Sequence, residues 1–147
     1  MKRKEGFTLI ELLAVIVILA VIIVIAIPMV SNSLGGARKD SFKVYAKKVI
    51  NTVSAKYQSD MLTTGKTNIT CYTLDELMGQ SKGSYEGYVL VCNPNSENYD
   101  FKVTIKNGKL IVNNSRLKDI EDKVTEGTIN SLTCPSAAEI ASKCSAQ

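Results

Sequence analysis

The sequence predicts an α+β fold in which one long N-terminal helix packs, along its second half, on a small antiparallel sheet. Three observations support this prediction: an uncharged apolar run, an amphipathic stretch of helical period after it, and short segments of alternating polarity further on. The apolar stripe of a helix and the apolar face of a sheet can form one hydrophobic core. The chain of 147 residues is long enough for about one domain.

The first half of the predicted helix can cross a membrane. From Leu12 to Val30 every residue is apolar or proline, and no charged residue occurs between Leu12 and Ala37. A bilayer core requires about 20 apolar residues in a helix. Residues 2–4 are basic, so the positive-inside rule places the chain after Val30 outside the cytoplasm.

The second half of the predicted helix is amphipathic. Large apolar residues recur there every three or four positions, which places them on one helical face, and lysines occupy the other faces. The apolar positions are Phe42, Tyr45, Val49, Val53 and Tyr57. We predict one helix from about Thr8 to about Leu62, ended by Gly65.

A small mixed head follows a loop around Thr63–Thr70. The segment "TLDELMG" has Thr73 and Glu76 at the spacing of a capping box and Gly79 as a stop, which predicts a short helix. Three strands are predicted next, in "YEGYVLVC", "YDFKVTIK" and "KLIVN". Asn107-Gly108 predicts a hairpin between the last two, which gives a three-stranded meander.

The C-terminal region is predicted in two parts. The segment "LKDIEDKVTEG" is charged and short, and it fits either a loop or a weak helix. The segment "PSAAEIASKC" predicts a helix in which Ser136 is the N-cap and Glu139 completes a capping box.

Four cysteines are candidates for disulfide bonds: Cys71, Cys92, Cys134 and Cys144. All lie in the part predicted to be outside the cytoplasm, where disulfides persist. Of the three pairings, we favour Cys71–Cys92 with Cys134–Cys144, and reduced thiols are the alternative. No zinc site is predicted, because the chain has no histidine and no Cys-x-x-Cys pair.

Composition argues against an enzyme and against a strong nucleic-acid binder. Histidine is absent, and no nucleophile–base pair stands out, so we predict no catalytic residue, no metal and no cofactor. Residues 1–6 carry a net charge of +2 out of the formal +4, which leaves +2 for the remainder. So small a net positive charge supports at most weak, salt-dependent DNA binding.

The N-terminus differs from an ordinary secretory signal. No small-residue cleavage site follows the apolar run. The sequence instead changes from charged to apolar residues before this run, at Gly6-Phe7. This arrangement resembles the class III signal peptide of type IV pilins and related pilin-like proteins. The resemblance covers about the first 55 residues, and its motif residues are Gly6, Phe7, Thr8, Leu9, Ile10, Glu11 and Leu12, followed by the apolar run and Pro28.

The resemblance implies cleavage after Gly6 by a prepilin peptidase and N-methylation of Phe7. It also implies that Glu11 of an incoming subunit meets the cationic Phe7 amine of an assembled one, which would set the register of a filament. Two alternatives remain: an ion pair within one helix, or a carboxylate that only stabilises the positive helix N-terminus. Pro28 is expected to break the helix within a fibre, or simply to kink it.

The resulting prediction is a type IV pilin-like fold with a leader at 1–6, a membrane and filament-core helix at 7–36, and a head at 37–147 that includes the helix half at 37–62. Implied partners are other copies of the chain, the peptidase, an assembly ATPase and an inner-membrane platform. The protein would sit in the cytoplasmic membrane and then in a surface pilus. The rival hypotheses are a pseudopilin of a secretion or DNA-uptake system and a monomeric membrane-anchored binding domain.

Overall fold

The computed structural model describes residues 7–65, 70–94 and 96–145, and the chain divides into two compact units, Met1–Arg38 and Lys39–Gln147. The predicted long helix is confirmed as α1, Leu9–Thr64. It ends at Gly65, whose φ of +71° suits glycine and whose N–H donates to the Met61 carbonyl at 2.8 Å. The predicted loop at Thr63–Thr70 lies partly at residues 66–69, outside the described part of the chain.

Helix α1 continues through Pro28. A proline removes one helical N–H donor and can kink a helix without ending it. Unwinding at Pro28 inside a fibre stays a prediction.

The head contains a five-stranded antiparallel meander in the order β1-β2-β3-β4-β5. Its strands are β1 Cys71–Thr73, β2 Glu86–Cys92, β3 Asp100–Asn107, β4 Leu110–Ser115 and β5 Thr125–Glu126. The predicted meander is confirmed as β2–β4, but three strands was too few. The two outer strands have three and two residues, which is too short for alternation to be recognised in the sequence.

The hairpin between β3 and β4 is confirmed, with its loop one residue later than the sequence suggested. Asn107 pairs with Leu110, so the loop is Gly108-Lys109. Gly108 has a φ of +60° and Lys109 is not among the residues with positive φ. Positive φ at the first loop position alone is typical of a type II′ turn, which favours glycine there.

The short helices also follow the sequence. Helix α2, Leu74–Met78, has the predicted capping box between Thr73 and Glu76 and is followed by Gly79. The ambiguous segment forms a 3₁₀ turn at Leu117–Asp119, helix α3 at Ile120–Lys123 and then β5. Helix α4 spans Ala137–Ser145, and its Glu139 carboxylate accepts bonds from the Ser136 N–H and hydroxyl at 2.9 and 2.8 Å.

The main core lies between the second half of α1 and one face of the sheet. All five predicted stripe residues belong to it, four of them buried and Tyr45 partly buried. The sheet contributes Phe101, Val103 and Ile105, which alternate along β3 and share one of its faces. The opposite sheet face has a smaller cluster of Tyr88, Leu90 and Cys92, covered by residues 127–145, which we call the C-terminal strap.

The preferred disulfide pairing was wrong. The bonds are Cys71–Cys134 and Cys92–Cys144, with Cα separations of 6.0 and 5.4 Å. Cys71 pairs with Leu90 across the sheet, so Cys71 and Cys92 are diagonal neighbours, about 7–8 Å apart and at the limit for a disulfide. Helix α4 begins after Cys134 and contains Cys144 near its end, and it holds the two cysteines too far apart because an α-helix rises about 1.5 Å per residue.

Candidate assembly site at the N-terminus

The first unit presents an apolar surface with no internal packing. Among its described residues, every large apolar side chain is at least half exposed, from 51% at Leu13 to 90% at Phe7. The helix contains an 18-residue window of mean hydropathy 3.4, none of it buried, and is long and apolar enough to cross a membrane. Such a surface suits lipid or other apolar helices and is unfavourable in water.

Glu11 is held at the start of this helix by Thr8. The Thr8 N–H and hydroxyl both donate to Glu11 Oε2, at 2.9 and 2.8 Å, and the Glu11 N–H donates to Thr8 Oγ1 at 3.4 Å. Thr8 is thus the N-cap and Glu11 the third helical residue of a capping box. Two donors of the helix end are satisfied, and the carboxylate is fixed beside the first turn.

The two carboxylate oxygens of Glu11 have different roles in this arrangement. Oε2 takes both bonds from Thr8, while Oε1 accepts no hydrogen bond from any residue that the structure describes. An ionised carboxylate has about four acceptor positions. Glu11 can therefore keep its capping bonds and still accept a cation at Oε1.

The predicted cleavage site adjoins this capping box. Phe7 is 90% exposed and immediately precedes Thr8, whereas Gly6 lies outside the described residues. Cleavage between them would make the Phe7 nitrogen an α-amine, with a reference pKa near 7.7–8.0 and hence largely cationic at neutral pH. The same helix end would then carry a donor cation and an acceptor carboxylate.

Thr8 belongs to the N-terminal motif, but no function was predicted for it from the sequence. Its Thr-x-x-Glu spacing, which also occurs at Thr73 and Glu76, could have identified it as a capping residue. The four cysteines lie in the head, away from this site in the sequence, and serve to attach the strap. No cluster of three or more metal-ligating side chains occurs among the described residues.

Comparisons with known proteins identify the N-terminal region. Residues 1–27 match the family model described as the prokaryotic N-terminal methylation motif. Neither the curated proteins nor the solved structures include a match to the chain. The motif implies processing by prepilin peptidase and, in general, polymerisation into pili. Residues 1–27 thus match the motif of the class III signal peptide of type IV pilins, and with the apolar helix and the pilin-like α+β fold this match supports a type IV pilin-like or pseudopilin protein.

Proposed function

We propose that this chain is the structural subunit of a bacterial type IV pilus. It is inserted in the cytoplasmic membrane with its head outside, loses residues 1–6, and is N-methylated at Phe7. The helix of the first unit then leaves the bilayer and enters the centre of a filament. Adhesion or motility follows from the filament.

The exposed apolar helix supports an assembly function but cannot drive assembly by itself. Its side chains are equally well accommodated by lipid tails and by other apolar helices, so transfer from bilayer to filament gains little hydrophobic free energy. We therefore expect external work from an assembly ATPase acting through a membrane platform. The hydrophobic surface sets where the subunit can reside, while polar groups must determine how copies align.

The observation that carries the proposal is the capping box of Thr8 and Glu11 beside the cleavage site. Among water-excluded apolar helices, the Phe7 amine and an unpaired Glu11 would each cost several kcal/mol. Pairing Glu11 Oε1 with the Phe7 amine of a neighbouring subunit removes this free-energy penalty. The two groups can meet at only one axial alignment of the neighbouring helices, so the pair sets the register. The ion pair acts mainly as an alignment device and contributes little net stability.

Electron microscopy of sheared surface material, combined with mass spectrometry of the N-terminus, tests the proposal. We expect long filaments of this chain with methylated Phe7 as the first residue. Short, sparse assemblies confined near the membrane would instead support the pseudopilin alternative. A chain that keeps residues 1–6, or that is processed and remains monomeric, would contradict both.

DNA binding is at most a minor property of such filaments. Three of the α1 lysines have carboxylate partners: Lys43 with Asp40, Lys47 with Glu121, and Lys56 with Asp60. Paired lysines attract phosphate less strongly than free ones. We expect weak binding that disappears between about 50 and 200 mM salt.

A further inference from the structure

The C-terminal strap, residues 127–145, is attached to the head differently from every other element. The main core extends from Phe42 to Ile120, with partly buried members as far as Val124, and no residue of the strap belongs to it. The helix and sheet thus enclose their core without the strap.

The strap buries little apolar surface. No side chain of residues 127–145 is fully buried. Apart from its two cysteines, only Ile140 packs on the cluster formed by Tyr88, Leu90 and Cys92. One partly buried isoleucine is worth too little to fix a segment of this length against its conformational entropy.

Polar contacts position the end of α4 on the sheet. The buried Lys102 ammonium donates to the carbonyls of Lys143 and Cys144 at 2.7 and 3.3 Å, and the Asn114 amide donates to the Lys143 carbonyl at 2.9 Å. The Lys143 ammonium donates to the Tyr88 hydroxyl at 3.1 Å. These bonds position the helix terminus once it is docked.

Both disulfides of the protein connect this strap to the sheet. Cys134, ahead of α4, is bonded to Cys71 in β1, and Cys144, within α4, is bonded to Cys92 in β2. The strap is thus attached covalently at two points ten residues apart. No disulfide lies within the main core or joins α1 to the sheet, since these two bonds use all four cysteines.

We propose that the strap is a redox-dependent element, docked on the sheet when the two disulfides are formed and released when they are reduced, while the core of α1 and the sheet stays folded. In docking, each pair of thiols loses two electrons and two protons to a disulfide-bearing oxidant, which becomes a dithiol. In release, a dithiol reductant supplies two electrons and two protons per bond and becomes a disulfide. Release uncovers the sheet face at Tyr88 and Leu90.

The docked strap also forms a polar cleft that its release would abolish. The cleft has a volume of about 420 Å³, and its walls come from the sheet, at Tyr88 and Asn113, and from strap residues between Thr128 and Lys143. Any surface property of this face therefore depends on the oxidation state of the protein. The inference does not depend on filament formation, because it concerns the head alone.

Hydrogen exchange on the full chain in detergent micelles tests the proposal. On reduction with a dithiol, amides of α4 should exchange at least about tenfold faster, while amides of β2 and β3 keep their protection. Unchanged exchange in α4 would overturn the proposal, and so would loss of protection throughout the head.

Two sets of variants separate the covalent from the non-covalent attachment. The Cys71→Ser, Cys92→Ser, Cys134→Ser, Cys144→Ser quadruple variant should reproduce the reduced state without reductant. Ile140→Ala is the matched control, since it removes the apolar contact and leaves both bonds, and its strap should stay protected. A released strap in Ile140→Ala would show that packing, not oxidation, holds it and would overturn the proposal. Reduction of the folded wild-type chain remains decisive if the quadruple variant does not fold.

Discussion

Thr8 is the residue that most directly controls the geometry of Glu11. Its hydroxyl and N–H both bind Oε2, so loss of the hydroxyl frees the carboxylate to change rotamer. Thr8→Val keeps the shape of the side chain but removes its hydroxyl. Loss of this cap should destabilise the helix by about 1 kcal/mol. We expect Thr8→Val to lower filament yield, measured as subunit in sheared surface material, while Thr8→Ser assembles normally. Equal yields for the two variants would contradict the positioning of Glu11 by Thr8.

Asp60 illustrates a pH-dependent contact within the head. Hydrogen bonds from the Lys56 ammonium and from the Tyr72 hydroxyl, each 2.8 Å long, hold the pKa of the Asp60 carboxyl below its ordinary value. Because the folded-state pKa is depressed, the contribution to stability is present above the unfolded pKa of about 3.9 and is lost as the pH falls through the folded value.

Asp60→Asn should consequently lower the melting temperature of the head at pH 7, and the deficit should shrink below about pH 4. Tyr72→Phe, which keeps the carboxylate and its bond to Lys56, should show a smaller deficit. Thermal unfolding followed by circular dichroism across this pH range measures both. A deficit that grows as the pH falls would refute the assignment.

Sequence patterns predicted the roles of individual residues well where those roles depend only on neighbours a few positions away in the chain. Thr73 and Glu76, and Ser136 and Glu139, cap their helices as the spacing indicates. The cysteine partners could not be predicted, because the pairing depends on which sheet face the C-terminal segment covers. That placement is a tertiary property and leaves no periodic pattern in the sequence.

At the scale of elements, the β2–β3 pairing depends on a glycine. Gly87 has a φ of +147°, and a Cβ there would lie 2.0 Å from the Thr104 carbonyl oxygen and 2.9 Å from the Ile105 Cα. Backbone atoms cannot move aside as a flexible side chain can. The sequence did not indicate this close approach, since Gly87 stands inside a run that alone predicts an ordinary strand.

Gly87→Ala should reduce the free energy of unfolding of the head by about 3 kcal/mol, from strain and a shifted strand. Gly108→Ala is the matched control, because Gly108 also has positive φ but nothing lies within 4 Å of its added Cβ. We expect the control to cost about 1–2 kcal/mol. Urea denaturation of the two variants would contradict this account if Gly108→Ala proved the more damaging.

Element types were predicted better than element number. Helix α1 and strands β2–β4 have strong periodicity, whereas β1 and β5 pair over three and two residues. Strands this short form only because a neighbouring edge is already in place. The continuity of α1 at Pro28 likewise reflects the surrounding helix and not the propensity of one residue.

For the whole molecule, membrane residence and head stability are encoded in different parts of the chain. Every buried residue of the main core lies from Phe42 onward, and the exposed apolar residues are concentrated before Arg38. A chain of residues 37–147 should therefore be soluble and monomeric and should unfold cooperatively. Analytical ultracentrifugation and thermal unfolding test this, and an aggregated or unfolded product would contradict it.

Within the head, the two disulfides contribute to stability separately from the hydrophobic core. They close loops with sequence separations of 63 and 52 residues, for which the chain-entropy treatment gives about 4 kcal/mol for one such bond. These bonds therefore add to the stability of the oxidised head, whose core of α1 and the sheet we expect to stay folded when they are reduced.

The central claim is that subunits align by pairing Glu11 of one copy with the Phe7 amine of another. The most direct measurement compares the recovery of mature subunit in sheared filaments for wild type, Glu11→Asp and Glu11→Ala, with cleavage after Gly6 verified by mass spectrometry in each. We predict that Glu11→Ala is processed normally yet yields almost no filaments, and that Glu11→Asp retains partial assembly. Processed Glu11→Ala subunits assembling at wild-type yield would contradict the account.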